Sequence, residues 1–165
     1  MENIFMLNPI LTVGIISWIG AQLLKTIHHM VKYKTFNPER FVGAGGMPSS
    51  HSALVVSVAI YTLRSQGFAS PYFAFSMILA GIVIYDAMSV RYNAGLHAKE
   101  LNRLRRIVDE LDDEISQLSD KPEDEDIEEL VNQKDLKEFL GHTPIEVLAG
   151  SMLGILIAMA FPLPK

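Results

Sequence analysis

Residues 71–90 read PYFAFSMILAGIVIYDAMSV and contain a single charged residue, Asp86. An α-helix of about 20 residues is roughly 30 Å long, which matches the hydrocarbon core of a bilayer. Three more apolar stretches lie at residues 7–24, 47–63 and 143–163. Each approaches or reaches the length of a membrane crossing. We therefore expect an all-α fold, an integral membrane helical bundle of about four spans.

Charge is concentrated in one segment of this chain, which is 49% hydrophobic and 20% charged. Residues 97–140 hold 15 of the 19 acidic and 7 of the 14 basic residues, a net charge of −8 against −5 for the whole chain. We expect this acidic segment to be inserted between the third and fourth spans of a bundle formed by residues 1–96 and 141–165. No strong basic stripe is present, so we expect no nucleic-acid partner.

Within the acidic segment, apolar residues recur at alternating spacings of three and four, as at the a and d positions of a heptad repeat. They are Leu101, Leu104, Val108, Leu111, Ile115 and Leu118. Residues 119–122 break the pattern, and the acids at 123–126 are typical of the start of a second helix. We predict a helical hairpin over residues 97–140, either folded on itself or paired with another subunit.

Basic residues indicate how the spans are oriented. The connections at residues 25–46 and 91–142 are rich in lysine and arginine, whereas the turn at 64–70 has only Arg64. By the positive-inside rule, the two basic connections are cytoplasmic. We expect a protein of the cell membrane whose hairpin and polar motifs, at the ends of the spans, share the cytoplasmic side.

The stretch at residues 45–52, GGMPSSHS, precedes the second apolar run. Pro48 suits the first position of a helix, and the free N–H groups behind it favour an anion such as phosphate. His51 then lies about one turn into the helix, where it can exchange a proton with that anion. The alternative is an ordinary helix start, at which the serines only cap backbone N–H groups.

Residues 142–146, HTPIE, form a second polar block before the last span. Thr143, Pro144 and Glu146 match a capping box with proline at the first helical position. A carboxylate four residues after His142 can also fix the tautomer of the imidazole and raise its basicity. The two interpretations of Glu146 are compatible.

Other polar residues near the span ends also have two interpretations. Asp86 forms either a structural ion pair with Arg91 or part of a functional site, since charges inside spans are costly. Lys25 is either a headgroup-level anchor or an anion ligand. In the last span, Gly150, Gly154 and Ala158 form a smooth face for close helix packing. We expect a homo-oligomer, through this span or through the heptad hairpin.

The two polar blocks together resemble motifs of the type 2 phosphatidic acid phosphatase and vanadium haloperoxidase superfamily, in particular its divergent branch of small membrane proteins. The resemblance implies hydrolysis of a lipid phosphate or diphosphate without metal or cofactor. His142 would attack phosphorus, Glu146 would orient His142, and His51 would protonate the leaving alkoxide. The phosphate ligands that it implies are Lys25, Arg40, Ser49, Ser50 and Arg91, with Asp86 in support.

The superfamily's third motif, Ser-Arg, five residues, histidine, three residues and aspartate, is split in this chain. Arg91 and His97 have the spacing of its first half, with Glu100 able to serve His97, while His142 and Glu146 have that of its second half. Two other function classes stay open. One is a non-catalytic membrane protein that binds anionic headgroups or phosphate. The other is a metal-dependent hydrolase or divalent-cation transporter built from His51, His142, Glu146 and Asp86.

Overall fold

The computed structural model describes residues 8–33, 46–119, 135–136, 138 and 140–163. Their regular structure consists of five α-helices in chain order. The helices are α1 Pro9–Tyr33, α2 Ser50–Gln66, α3 Pro71–Met88, α4 Val90–Ser119 and α5 Pro144–Ala160. The all-α prediction is therefore confirmed. Arg40 and the second half of the predicted hairpin, residues 120–134, lie outside the described residues.

Short polar signals set the ends of these helices. Ser49 caps α2, and Gly67 ends it with φ +83°, a left-handed conformation that glycine adopts without strain. Ser70 and Pro71 start α3. Thr143, Pro144 and Glu146 start α5 with the predicted capping box. Only Ser89 separates α3 from α4, so α4 begins at Val90, seven residues before the expected start of the acidic segment.

Helix α2 is the centre of the bundle and packs against α1, α3 and α5. Glycines allow the close approaches. A methyl group at Gly14 would lie 2.8 Å from a Val58 methyl, and methyl groups at Gly150 and Gly154 would meet the carbonyl oxygens of Ser49 and Ala53. The predicted close-packing face of the last span is thus confirmed. It is filled by α2 of the same chain.

Apolar side chains cover the outside of the bundle. Phe75, Ile78 and Ile82 of α3, and Leu148 and Leu156 of α5, are all exposed. An apolar exterior of this extent requires lipid or protein around it. Within the described part of the chain, two helical runs are long and apolar enough to cross a membrane, Pro9–Val31 and Pro71–Ile115, and α5 is a shorter apolar helix.

Helix α2 lacks the apolar character of those runs, and its position explains the difference. Its buried residues include Ser52, Ser57 and Thr62, which face neighbouring helices rather than lipid. The hydroxyls of Ser57 and Thr62 donate to carbonyl oxygens of the preceding turn, at 2.8 and 2.7 Å. A helix surrounded by other helices can therefore carry hydroxyls that a lipid-facing helix excludes.

Candidate active site

The first turn of α2 carries His51. Ser49 is the N-cap, and its hydroxyl accepts hydrogen bonds from the amide of Ser52 at 3.3 Å and from the Ser52 hydroxyl at 2.9 Å. The sequence-based placement of this turn is wrong in two respects. Pro48 lies before the cap, in a cis peptide bond with Met47, and His51 is the second helical residue rather than one turn in. The helix starts later because the Ser49 hydroxyl accepts the Ser52 amide and so caps the helix, which leaves Pro48 outside it.

His142 lies directly before the cap of α5 and is only 2% exposed. Its Nδ1 lies 3.1 Å from Oε2 of Glu146, and the same oxygen accepts the Thr143 amide at 3.1 Å. Glu146 therefore acts in the capping box and holds the imidazole as well. The Nε2 atom of His142 is buried and has no hydrogen-bond partner among the described residues. Glu146 therefore holds Nδ1 of the ring, and Nε2 is available to a ligand in the pocket.

The two histidines lie next to each other. Their ring centroids are 6.3 Å apart, with an angle of 59° between the ring planes. Both line a pocket of about 130 Å³ between the start of α2, the end of α3 and the segment before α5. The pocket is also lined by Val83, Asp86, Ala87, Arg91 and Leu140.

Two backbone hydrogen bonds hold this end of the bundle together. The Ser49 amide donates to the Glu146 carbonyl at 3.0 Å, and the His142 amide donates to the Ala87 carbonyl at 3.1 Å. The second bond joins the segment before α5 to α3. Sequence reasoning missed both contacts, since no local pattern indicates them. The first also corrects the assignment of the Ser49 amide as a phosphate ligand, because that N–H is already used.

Ser50 keeps its polar groups available. Its hydroxyl is buried, at 1% exposure of the residue, and has no hydrogen-bond partner among the described residues. Its amide and that of His51 likewise have no acceptor in the described part of the chain. Among the described residues, the first turn of α2 thus offers a hydroxyl and N–H groups without a partner at the positive end of the helix dipole.

Asp86 and Arg91 form the predicted ion pair. Arg91 Nε lies 2.5 Å from Asp86 Oδ2, and both side chains are partly exposed, at 55% for the arginine and 38% for the aspartate. Both residues line the pocket, and the ion pair restricts the position of the guanidinium there.

Lys25 of α1 is 3% exposed, so it is not the solvent-reaching anchor that its position in the sequence allowed. A methyl group at Gly46, which has φ +89°, would lie 3.5 Å from Lys25 Cγ. The charge of Lys25 acts on both His51 and Glu146. The lysine therefore supplies positive charge beside the two polar blocks.

Not every candidate from the sequence meets at the pocket. His97 lies on α4, is exposed and does not line the pocket. Glu100 contacts Arg103 at 3.8 Å on the same helix. Among the described residues, no three or more histidine, aspartate or glutamate side chains are grouped as a metal site would require.

A helical bundle with an apolar exterior, and with a pocket at one end that is lined by two histidines and an ion pair, defines an all-α membrane protein. The chain belongs to the divergent PAP2 family, whose family model matches residues 6–157. It is also 36% identical over 141 residues to the uncharacterized membrane protein YuiD of Bacillus subtilis (strain 168), covering 86% of this chain and 85% of that protein. No solved structure matches the chain.

Proposed function

We propose that this protein is a membrane phosphatase that hydrolyses a lipid phosphate or diphosphate with His142 as the nucleophile. The observation that carries the proposal is the state of the His142 ring. One nitrogen is held by Glu146 at 3.1 Å, and the other is buried in a pocket without a partner among the described residues. A purely structural histidine with 2% exposure would be expected to have both ring nitrogens satisfied.

Nucleophilic attack requires a neutral imidazole with a free lone pair. A carboxylate at Nδ1 favours the tautomer with its proton on that nitrogen, so Nε2 carries the lone pair. Attack by Nε2 on phosphorus would form a phosphohistidine as the bond from phosphorus to the leaving oxygen breaks. Glu146 would orient the ring and stabilise the positive charge that develops on it.

His51 is the proposed acid and base. Ring centroids 6.3 Å apart leave room for one phosphoryl group to contact both imidazoles. In the first step, His51 would donate a proton to the leaving alkoxide. In the second, it would accept a proton from the water that hydrolyses the phosphohistidine, which returns both histidines to their starting states.

Positive charge and N–H donors would stabilise the phosphoryl oxygens. Lys25 and Arg91 supply the charge, and the amides of Ser50 and His51 supply donors at a helix N-terminus. The hydroxyl of Ser50 is a further donor. Arg40 remains a proposed ligand from the motif resemblance alone.

The size and place of the pocket support a lipid substrate. The pocket is large enough for a phosphate group, and the chains of the substrate would lie along the apolar helices outside it. The helices around it carry exposed apolar residues, as expected where a lipid can approach. We place the pocket on the cytoplasmic side because the basic connections lie there.

The test is phosphate release by the purified full-length protein from a panel of lipid monophosphates and diphosphates, with and without vanadate. We expect activity that vanadate inhibits, because vanadate mimics the pentacoordinate transition state. His51→Ala and His142→Ala should abolish it, and His97→Ala is the matched control that should retain it.

Two results would favour the other function classes. If wild-type protein and both histidine variants bind phosphate lipids equally and none releases phosphate, the protein is a binding protein. If a chelator abolishes the activity and a divalent cation restores it, the metal-independent mechanism is wrong.

A further inference from the structure

Helix α4 carries an apolar stripe of exposed side chains. Leu101, Leu104, Val108, Leu111 and Ile115 are each between 37% and 57% exposed. They are the a and d residues of the predicted heptad repeat, and they extend over roughly 21 Å of helix. We call these five residues the α4 seam.

The opposite face of α4 is already occupied by the same chain. Asn102 is fully buried, and it exchanges hydrogen bonds with the Leu136 backbone at 2.9 and 3.0 Å. It also donates to Glu138 Oε1 at 3.0 Å, and a methyl group at Gly95 would meet the Glu138 carbonyl. The segment that returns toward α5 therefore binds the face that carries Gly95 and Asn102. The α4 seam points away from it.

We propose that the α4 seam binds the α4 seam of a second copy of this chain as a parallel two-stranded coiled coil. Membrane insertion supplies the first argument. In two copies with the same topology, α4 starts directly after α3 at the same leaflet, so a parallel pair aligns the two seams from their first residue onward. The membrane also raises the effective concentration of the two helices, which compensates for a short seam.

Most residue types of the seam match a parallel dimer. Two of its three a residues, Val108 and Ile115, are β-branched, the third is Leu101, and Leu104 and Leu111 occupy d positions. This combination is the one that favours two strands in parallel coiled coils.

Charge at the flanking positions fits the same arrangement. In the heptad register set by the seam, Glu100 is at a g position and Arg105 is at the following e position. In a parallel pair, these two positions face each other across the interface, so Glu100 lies against the partner's Arg105 and the reverse. The next such pair is Ile107 with Asp112, which introduces no repulsion between like charges.

Single-cysteine cross-linking tests the proposal, since the chain contains no cysteine. In a parallel dimer, identical a or d residues face each other, within the Cα separation that a disulfide spans. Leu104→Cys and Leu111→Cys in the full-length protein in membranes should each give a disulfide-linked dimer on mild oxidation. Asp113→Cys is the matched control, because position 113 lies on the outer face of the same helix. Its dimer yield should remain at background.

Dilution with excess lipid separates a stable pair from random collision. The dimer yields at positions 104 and 111 should persist on dilution. Equal yields at all three positions, or no dimer at 104 and 111 in folded protein, would overturn the proposal.

Charge exchange provides a second test that does not alter the apolar seam. In the Leu111→Cys protein, Glu100→Arg should lose most of the cross-linked product, because the guanidinium introduced at position 100 would face the partner's Arg105. Adding Arg105→Glu should restore it. Retention of full cross-linking in the Glu100→Arg variant would refute the parallel register.

Discussion

The imidazole rings of His51 and His142 lie with their centroids 6.3 Å apart, although they come from the starts of different helices. The hydrogen bond from the Ser49 amide to the Glu146 carbonyl joins those two helix starts, two residues from His51 and four from His142. Gly150 permits it, since any side chain there would collide with the carbonyl of Ser49. The spacing of the two rings therefore depends on helix packing and not on a local motif.

The two adjacent serines at the start of α2 should affect different properties when changed to alanine: Ser50→Ala should lower activity, and Ser49→Ala should lower stability. Ser50→Ala removes a buried hydroxyl that has no partner among the described residues, so the free energy of unfolding should change by less than about 0.5 kcal/mol. Phosphatase activity should fall on the order of 10²-fold if the hydroxyl binds a phosphoryl oxygen. Ser49→Ala removes the cap of α2 and should cost about 1 kcal/mol of stability. Thermal unfolding and phosphate release measured on both variants check this, and equal effects on stability would contradict it.

Glu146→Gln should lower kcat on the order of 10²-fold or more. The amide keeps the size of the side chain but removes the negative charge that fixes the tautomer of His142 and stabilises its cationic form. Steady-state kinetics check the change, with Glu100→Gln on α4 as the control that should leave kcat unaltered. A Glu146→Gln enzyme with wild-type kcat would restrict Glu146 to its capping role.

Arg91→Ala should raise KM and lower kcat while changing stability by less than about 1 kcal/mol, because the Arg91 and Asp86 side chains are partly exposed. Asp86→Asn should have a smaller effect of the same kind, since Asp86 only positions the guanidinium. A double-mutant cycle tests whether Asp86 acts only through Arg91. If it does, Asp86→Asn should have no further effect on kcat or KM in the Arg91→Ala background. Arg103→Ala, which is on α4 outside the pocket, is the matched control.

Gly150→Ala should destabilise the bundle by roughly 1–3 kcal/mol, because the added methyl group meets the Ser49 carbonyl oxygen and lies 3.1 Å from Ser49 Cβ. Gly81→Ala on α3 is the matched control. A methyl group there has no neighbour within 4 Å, so the variant should be as stable as wild type or gain up to about 1 kcal/mol from helix propensity. Unfolding of both variants in the same detergent compares them directly, and equal stability would show that α5 can move away from α2 at no cost.

Local patterns were enough to predict much of the fold. Apolar stretches of span length located α1, α3 and α5, and the sequence of Thr143, Pro144 and Glu146 predicted the start of α5. The small residues of α5 predicted a close helix contact. These features depend on residues within one helix turn or one helix face, so a single sequence contains the whole signal.

Features that depend on contacts between distant segments could not be predicted. The burial of Lys25 follows from its neighbours in the bundle, and a lysine at the same distance along an isolated span would reach solvent. The engagement of the Ser49 amide follows from the contact of α2 with Glu146. Likewise, periodicity predicted the α4 seam but not that the return segment binds the opposite face of the helix.

The most direct test of the central claim is to trap the covalent intermediate. Rapid quenching of the full-length protein with a lipid phosphate labelled at phosphorus, followed by peptide mapping, identifies the residue that carries the label. We predict an acid-labile phosphohistidine at His142 that is absent from His142→Ala and present in His97→Ala. Label at His97, or release of phosphate without any labelled histidine, would contradict the account.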